Sequence, residues 1–138
     1  MNAYDADLAL QKAIHARLAG DEGLTALIGA RLYDNVPGDT GFPYATLGEA
    51  QVADWSTGDS AGAEHRLSFH VYSRGGGRAE AKRVLGAINA ALHEAALTPD
   101  GARLVALRFL DAETRREPDG TTWRGTIRLR ALTELITE

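Results

Sequence analysis

Residues 104–135 read LVALRFLDAETRREPDGTTWRGTIRLRALTEL, a long extended run and an alternating return run joined by Pro118-Asp119-Gly120. A proline, an aspartate and a glycine in that order form a strong tight-turn signal, so the segment predicts one β-hairpin. Its first strand runs from Leu104 to about Glu117, and its return strand from Thr121 to about Leu135. On the return strand Trp123, Ile127, Leu129 and Ala131 share one face, opposite Arg124, Thr126, Arg128 and Arg130. Period-two alternation of this kind marks a strand with one side buried and the other wet.

Working back from the hairpin, Thr98-Pro99-Asp100-Gly101 is a turn, and residues 78–96 follow a helical repeat. Ala81, Val84, Leu85, Ile88, Ala91, Leu92 and Ala95 supply its apolar stripe. Gly75-Gly76-Gly77 breaks the chain between that helix and a strand from His65 to Ser73. There Leu67, Phe69 and Val71 face one way, and Arg66, Ser68, His70 and Tyr72 the other. Residues 54–62 are rich in Asp, Ser and Gly and read as an exposed loop carrying Trp55. Phe42 to Glu49 is extended, with Pro43 confined to a strand's beginning or edge. Arg31 to Val36 predicts a short strand ended by Pro37-Gly38. At the start, Asp5 and Asp7 favour a helix N-terminus, and Leu8, Gln11, Ile14, His15 and Leu18 carry its repeat up to Gly20. Asp21 caps a second short helix through Ile28, closed by Gly29. The expected fold is α+β over residues 1–138 as a single domain. A mainly antiparallel sheet with the long C-terminal hairpin is packed by the N-terminal helix and one central helix.

The 138 residues carry 15 basic and 19 acidic groups, a net charge of −4, with 44% apolar and 25% charged residues. These are ordinary values for a globular chain long enough to bury a core without metal or disulfide. With no cysteine, a thiolate zinc site, an iron–sulfur cluster and a cysteine nucleophile are all excluded. No stretch is long and apolar enough for a membrane span, and no basic-then-apolar leader opens the chain. The expectation is a soluble domain made inside the cell. Thirteen of the 15 basic residues are arginine and 24 residues are alanine, a bias that GC-rich codons explain without invoking function. Charge is uneven: residues 1–64 hold 3 basic and 10 acidic groups (net −7), residues 65–138 hold 12 and 9 (net +3). Such a split suits head-to-tail self-association or a charged partner.

Catalytic patterns fail one after another. Ser56 lies in Asp54-Trp55-Ser56-Thr57-Gly58, without the first glycine of a nucleophile elbow. His93-Glu94 starts like a zincin motif, but position 97 is Leu97 where the second histidine belongs. His65 and His70 stand five apart on a strand and so point to opposite faces. The triple glycine lacks the Walker lysine, and a dinucleotide fingerprint would need glycine where Glu80 stands. No catalytic, cofactor-binding or metal residue is assigned. A flexible turn, able to act as a hinge, is the reading for Gly75–Gly77.

What remains is surface. Trp55 is a large ring in a polar loop, and the hairpin's outer strand offers unpaired backbone groups to a neighbour. Trp55, Arg74, Arg115, Arg116, Arg124, Arg128 and Arg130 are the candidate interface residues. Planar guanidinium groups suit carboxylates across such a contact.

Four stretches in order carry a family resemblance: LQKAIHARLAGDEGLTALIGARLYDNVP, FPYATLGEA, HRLSFHVYSRGGGRAEAKRVLGAINAALHE and ETRREPDGTTWRGTIRLRALTE. Together they span nearly the whole chain, which resembles the tail-terminator (tail-completion) proteins of long-tailed bacteriophages and phage-like gene transfer agents. The resemblance implies a structural, non-enzymatic protein that forms a hexameric ring on the finished tail tube. Its implied partners are other copies of itself, the tail tube protein and a head–tail connector (stopper or adaptor) protein, with DNA passing through unread. It implies assembly in the bacterial cytoplasm and a final place at the head–tail junction of a particle, with no membrane and no cofactor. A stopper or adaptor role stays open. So do a small ligand-binding domain using the sheet face near His70 and Tyr72, and a nucleic-acid-binding module using the arginine face.

Overall fold

A computed structural model describes residues 1–136. In chain order the elements are α1 (Ala3–Ala19), α2 (Glu22–Ile28), β1 (Leu32–Tyr33), β2 (Tyr44–Asp54), β3 (Gly62–Ser73), α3 (Arg78–Leu92), β4 (Ala102–Arg116) and β5 (Trp123–Leu135). The five strands form one sheet in the order β1-β2-β3-β5-β4. Only β1 and β2 run parallel; every other neighbouring pair is antiparallel. The α+β fold read from the sequence is therefore the fold observed.

The hairpin forms where the turn signal and the return strand's alternation predict, with β4 and β5 paired from Ala102↔Leu135 to Arg116↔Trp123. Two bulges interrupt β4, between Leu104 and Ala106 and between Phe109 and Asp111. All three helices pack on one side of the sheet. From there Phe69, Val71, Leu107, Ile127 and Leu129 meet Leu10, Ile14, Leu18, Leu24, Val84, Ile88 and Leu92 in one continuous core. Gly125 is a close-approach position, because a Cβ there would lie 2.8 Å from a methyl of Leu85. The core of α3 is the stripe read from the sequence, Ala81 through Leu92.

Several boundaries differ from the sequence expectation, each for a local reason. The first helix begins at Ala3 because Asn2 and Asp5 form a capping box, each side chain bonding the other's backbone N–H at 2.9 and 2.8 Å. Its buried residues are Ala6, Leu10, Ile14 and Leu18, whereas Leu8 and His15 face solvent. The predicted repeat thus merged a core stripe with a second, outward one. The expected strand over 31–36 shrinks to Leu32–Tyr33, since the chain turns away after two residues of pairing with β2. The central helix ends at Leu92 instead of Ala96, because Glu94 takes a left-handed conformation (φ 57°) that a continuing helix excludes. The polar loop is also shorter than expected, since β2 extends to Asp54 and β3 starts at Gly62. Among the described residues no helix is long and apolar enough to cross a membrane.

Candidate functional site

The sheet face opposite the helices is where the arginines gather. Alternation on β5 sends Arg124, Thr126, Arg128 and Arg130 to this side, opposite Tyr72, His70, Ser68 and Arg66 of β3. Thr126, Ser68 and Thr46 are nonetheless buried. The arginines do not wait for an external carboxylate. Arg128 binds Asp111 at 2.7 Å and Glu113 at 3.4 Å across the β4–β5 pair. Arg130 binds Glu64 at 2.6 Å, and Arg124 faces Glu117 at 3.3 Å. The hydrogen bond from Arg130 holds the Glu64 carboxyl below the usual range, and the bond to Asp111 pushes the Arg128 guanidinium still higher. The three predicted interface arginines of β5 therefore have carboxylate partners within the chain, brought to them by neighbouring strands and the hairpin turn.

Arg74 lies at the hairpin-tip end of this face. Its Nε donates to Thr122 Oγ1 at 3.0 Å, and its guanidinium stacks 4.2 Å over the Phe42 ring and reaches Asp119 at 3.7 Å. Asp119 accepts from the Thr122 hydroxyl and from the backbone N–H groups of Thr122 and Thr121, which lowers its pKa to about 2. Arg115 and Arg116 stay exposed on β4. The first has only a 3.8 Å contact to Glu113; the second lies 5.3 Å over the Trp123 ring on the helix side. Trp55 sits at the far end of the sheet. Its backbone N–H donates to Gly62 O at 2.9 Å, and its ring edge stands 3.0 Å from where a Gly62 Cβ would be. With 37% exposure it is partly packed on the body and partly open.

Sequence reasoning missed two features. One is an aromatic cluster beside Arg74. Tyr44 and Tyr72 stack at 5.0 Å, and Phe42 and Tyr33 tilt against Tyr44 at 5.2 and 6.0 Å. Only the placement of Tyr72 on the polar side of β3 hinted at it. Burial, then neighbouring Tyr72, raises the Tyr44 pKa. The other is a clamp on the free edge. Strand β4 ends the sheet, but Glu94 N–H donates to Leu107 O at 2.8 Å, and Phe109 N–H donates to His93 Nδ1 at 3.0 Å. The turn after α3 thus satisfies the middle of the edge, while Leu110–Arg116 lies beyond it. By contrast β3 is interior, flanked by β2 and β5, so its backbone cannot pair with a neighbouring subunit.

His65 makes an arrangement that looks catalytic in outline. Its Nδ1 is 2.7 Å from Asp7 Oδ1 and its Nε2 2.8 Å from Thr133 Oγ1. A carboxylate only accepts, so Nδ1 carries a proton, and in the neutral ring Nε2 then accepts from the Thr133 hydroxyl. Both His65 and Thr133 are fully buried, so no substrate reaches the hydroxyl and the trio serves as a staple between α1 and the sheet. At the triple glycine, Glu80 Oε1 accepts from Ser73 Oγ at 2.6 Å and its carboxylate lies against Gly75. The anion position at that helix start is filled by the chain itself. No group of three or more His, Asp or Glu among the described residues is arranged to hold a metal.

His70 donates or accepts at Thr126 Oγ1 over 2.9 Å and sits half-buried on the open face. Burial first, and then nearby Arg124, lowers its pKa from 6.5, so the folded state binds this proton less readily than the unfolded chain. The stability it contributes is present above about pH 6.5 and is lost as pH falls toward the folded value. Urea unfolding at about pH 7.5 and about pH 5.5 should show a drop in stability that His70→Gln flattens. An unchanged slope in the variant would contradict this.

The family described as tail completion protein gp17 matches residues 12–134. The tail completion protein gp17 of Bacillus phage SPP1 is 29% identical over 125 residues, covering 91% of this chain and 92% of that protein. A solved structure of the virion of a native gene transfer agent particle contains a chain with the same fold. It superposes with a TM-score of 0.88 at 37% identity, covering 95% of this chain and 98% of that one. With the match running from the middle of α1 to the end of β5, the chain belongs to the tail completion protein gp17 family.

Proposed function

We propose that the protein is a structural component of a phage or gene transfer agent tail that caps the completed tail tube. In this reading it forms a hexameric ring, joins the tail to the head connector, and lets DNA pass without binding it specifically. The observation that carries the reading is family membership across nearly the whole chain, with a close structural counterpart in a gene transfer agent virion. The surface supports it in two ways. A closed ring needs two different, complementary patches on each subunit, and the two halves of the chain carry net charges of −7 and +3. A net charge of −4 also suits a channel that must not grip phosphates, and the open-face arginines 124, 128 and 130 are already neutralised locally.

The subunit contact is assigned to the free side of β4 and the hairpin it belongs to. Arg115 and Arg116, exposed there and weakly held by their own chain, are the arginines left to meet a neighbour. Arg74, Trp55 and the interior-strand arginines act mainly within the subunit, except for the open part of Trp55, which is available to the tube or the head-side partner. Reversing charge with Arg115→Glu and Arg116→Glu should leave the fold intact and lower the yield of joined particles by about tenfold or more. Normal particle yield from that variant would count against the hairpin contact.

A further inference from the structure

Two apolar surfaces of this chain have no cover within the subunit. On α1, Tyr4 is 77% and Leu8 50% exposed, an apolar stripe turned away from the core. On the other side a groove of about 390 Å³ runs between α3 and β4, where the helical layer stops short of the edge strand. Its walls include Leu85, Gly86, Asn89, Phe109, Ala112 and Ile127. Phe109 is 38% exposed, and Asn89 Oδ1 is buried without a hydrogen-bond partner.

Gly86 is the informative residue. It sits in the middle of α3, where glycine weakens a helix relative to alanine. Nothing lies within 4 Å of where its Cβ would be, so the subunit's own packing does not require glycine there. Its missing side chain keeps the groove open. Tyrosine is a fitting occupant, since its apolar ring can fill the groove while the hydroxyl stays at the wet rim. Charge agrees: Asp5 adjoins Tyr4, and Lys82 lies on the groove's rim.

Resting on the ring reading above, we propose that the occupant is a second copy of this chain. The α1 stripe of one subunit packs into the α3–β4 groove of the next, with the Tyr4 ring against Phe109 and Gly86. Stripe and groove are different surfaces of one subunit, so the contact is head-to-tail and propagates around a ring.

The chain has no cysteine, so an engineered pair reports alone. A Tyr4→Cys, Gly86→Cys double variant, mildly oxidised both in concentrated solution and in assembled particles, should give a covalent ladder on denaturing gels. Mixing the two single variants should give covalent dimers only. Independently, Gly86→Arg fills the groove and should keep the melting temperature while weakening self-association at least about tenfold. Tyr4→Phe should weaken it less than Tyr4→Ala. If wild-type protein forms oligomers, but Gly86→Arg assembles equally well and no ladder appears, this contact is overturned and the ring stands. If wild-type protein stays monomeric in solution and is absent from particles, both fall.

Discussion

Replacing His65 with leucine is expected to remove about 3 kcal/mol of folding stability, because it strands two polar partners at once. The imidazole is fully buried and uses both nitrogens, to Asp7 at 2.7 Å and Thr133 at 2.8 Å. Leucine fills much of the volume but leaves the Thr133 hydroxyl unsatisfied where no water reaches it. Asp7, with 26% of its side chain exposed, recovers part of its loss by hydration. The companion variant Thr133→Val keeps the shape, frees only one ring nitrogen, and should cost about 1 kcal/mol. Urea midpoints at unchanged m-value measure both. A loss below about 1 kcal/mol for His65→Leu would show that the trio is incidental. The staple fixes the first half of α1 on the sheet, and with it the direction in which Tyr4 and Leu8 point.

Trp123→Ala is the second large effect, expected at about 4 kcal/mol. The ring is 8% exposed at the start of β5, between the guanidinium of Arg78 at 4.5 Å and that of Arg116 at 5.3 Å. It ties the first turn of α3 to the hairpin, so its loss leaves a cavity under both. Arg116→Gln should cost under about 1 kcal/mol, since an exposed cation over a ring contributes little beyond packing. Thermal unfolding of the two variants separates the contributions. Equal losses would mean that the guanidinium, and not the buried ring, holds this corner.

Strictly periodic segments were legible from the sequence. The return strand of the hairpin, β3 and the α3 stripe each repeat one pattern without competition, although nothing in the sequence marked the end of α3 at Leu92 or the two bulges of β4. Helix α1 was harder because it carries two apolar stripes. The inward one, Ala6, Leu10, Ile14 and Leu18, was blended with the outward Leu8. Charge partners were not legible at all. Arg130 meets Glu64, 66 residues away, through a strand order that places β3 and not β4 on that side of β5. The same order removes β3 from any strand pairing between subunits. The aromatic cluster joins Tyr33, Phe42, Tyr44 and Tyr72 from three strands and a turn, so no local window contains it. Trp55 needed coordinates too, since the carbonyl and ring that crowd Gly62 lie across a loop.

Electron microscopy of particles from a producer strain lacking this gene tests the central claim most directly. Tail completion at the tube's end predicts overlong tails, or heads and tails that accumulate separately, with joining restored by the wild-type gene. Tails of normal length attached to normally packaged heads would contradict it.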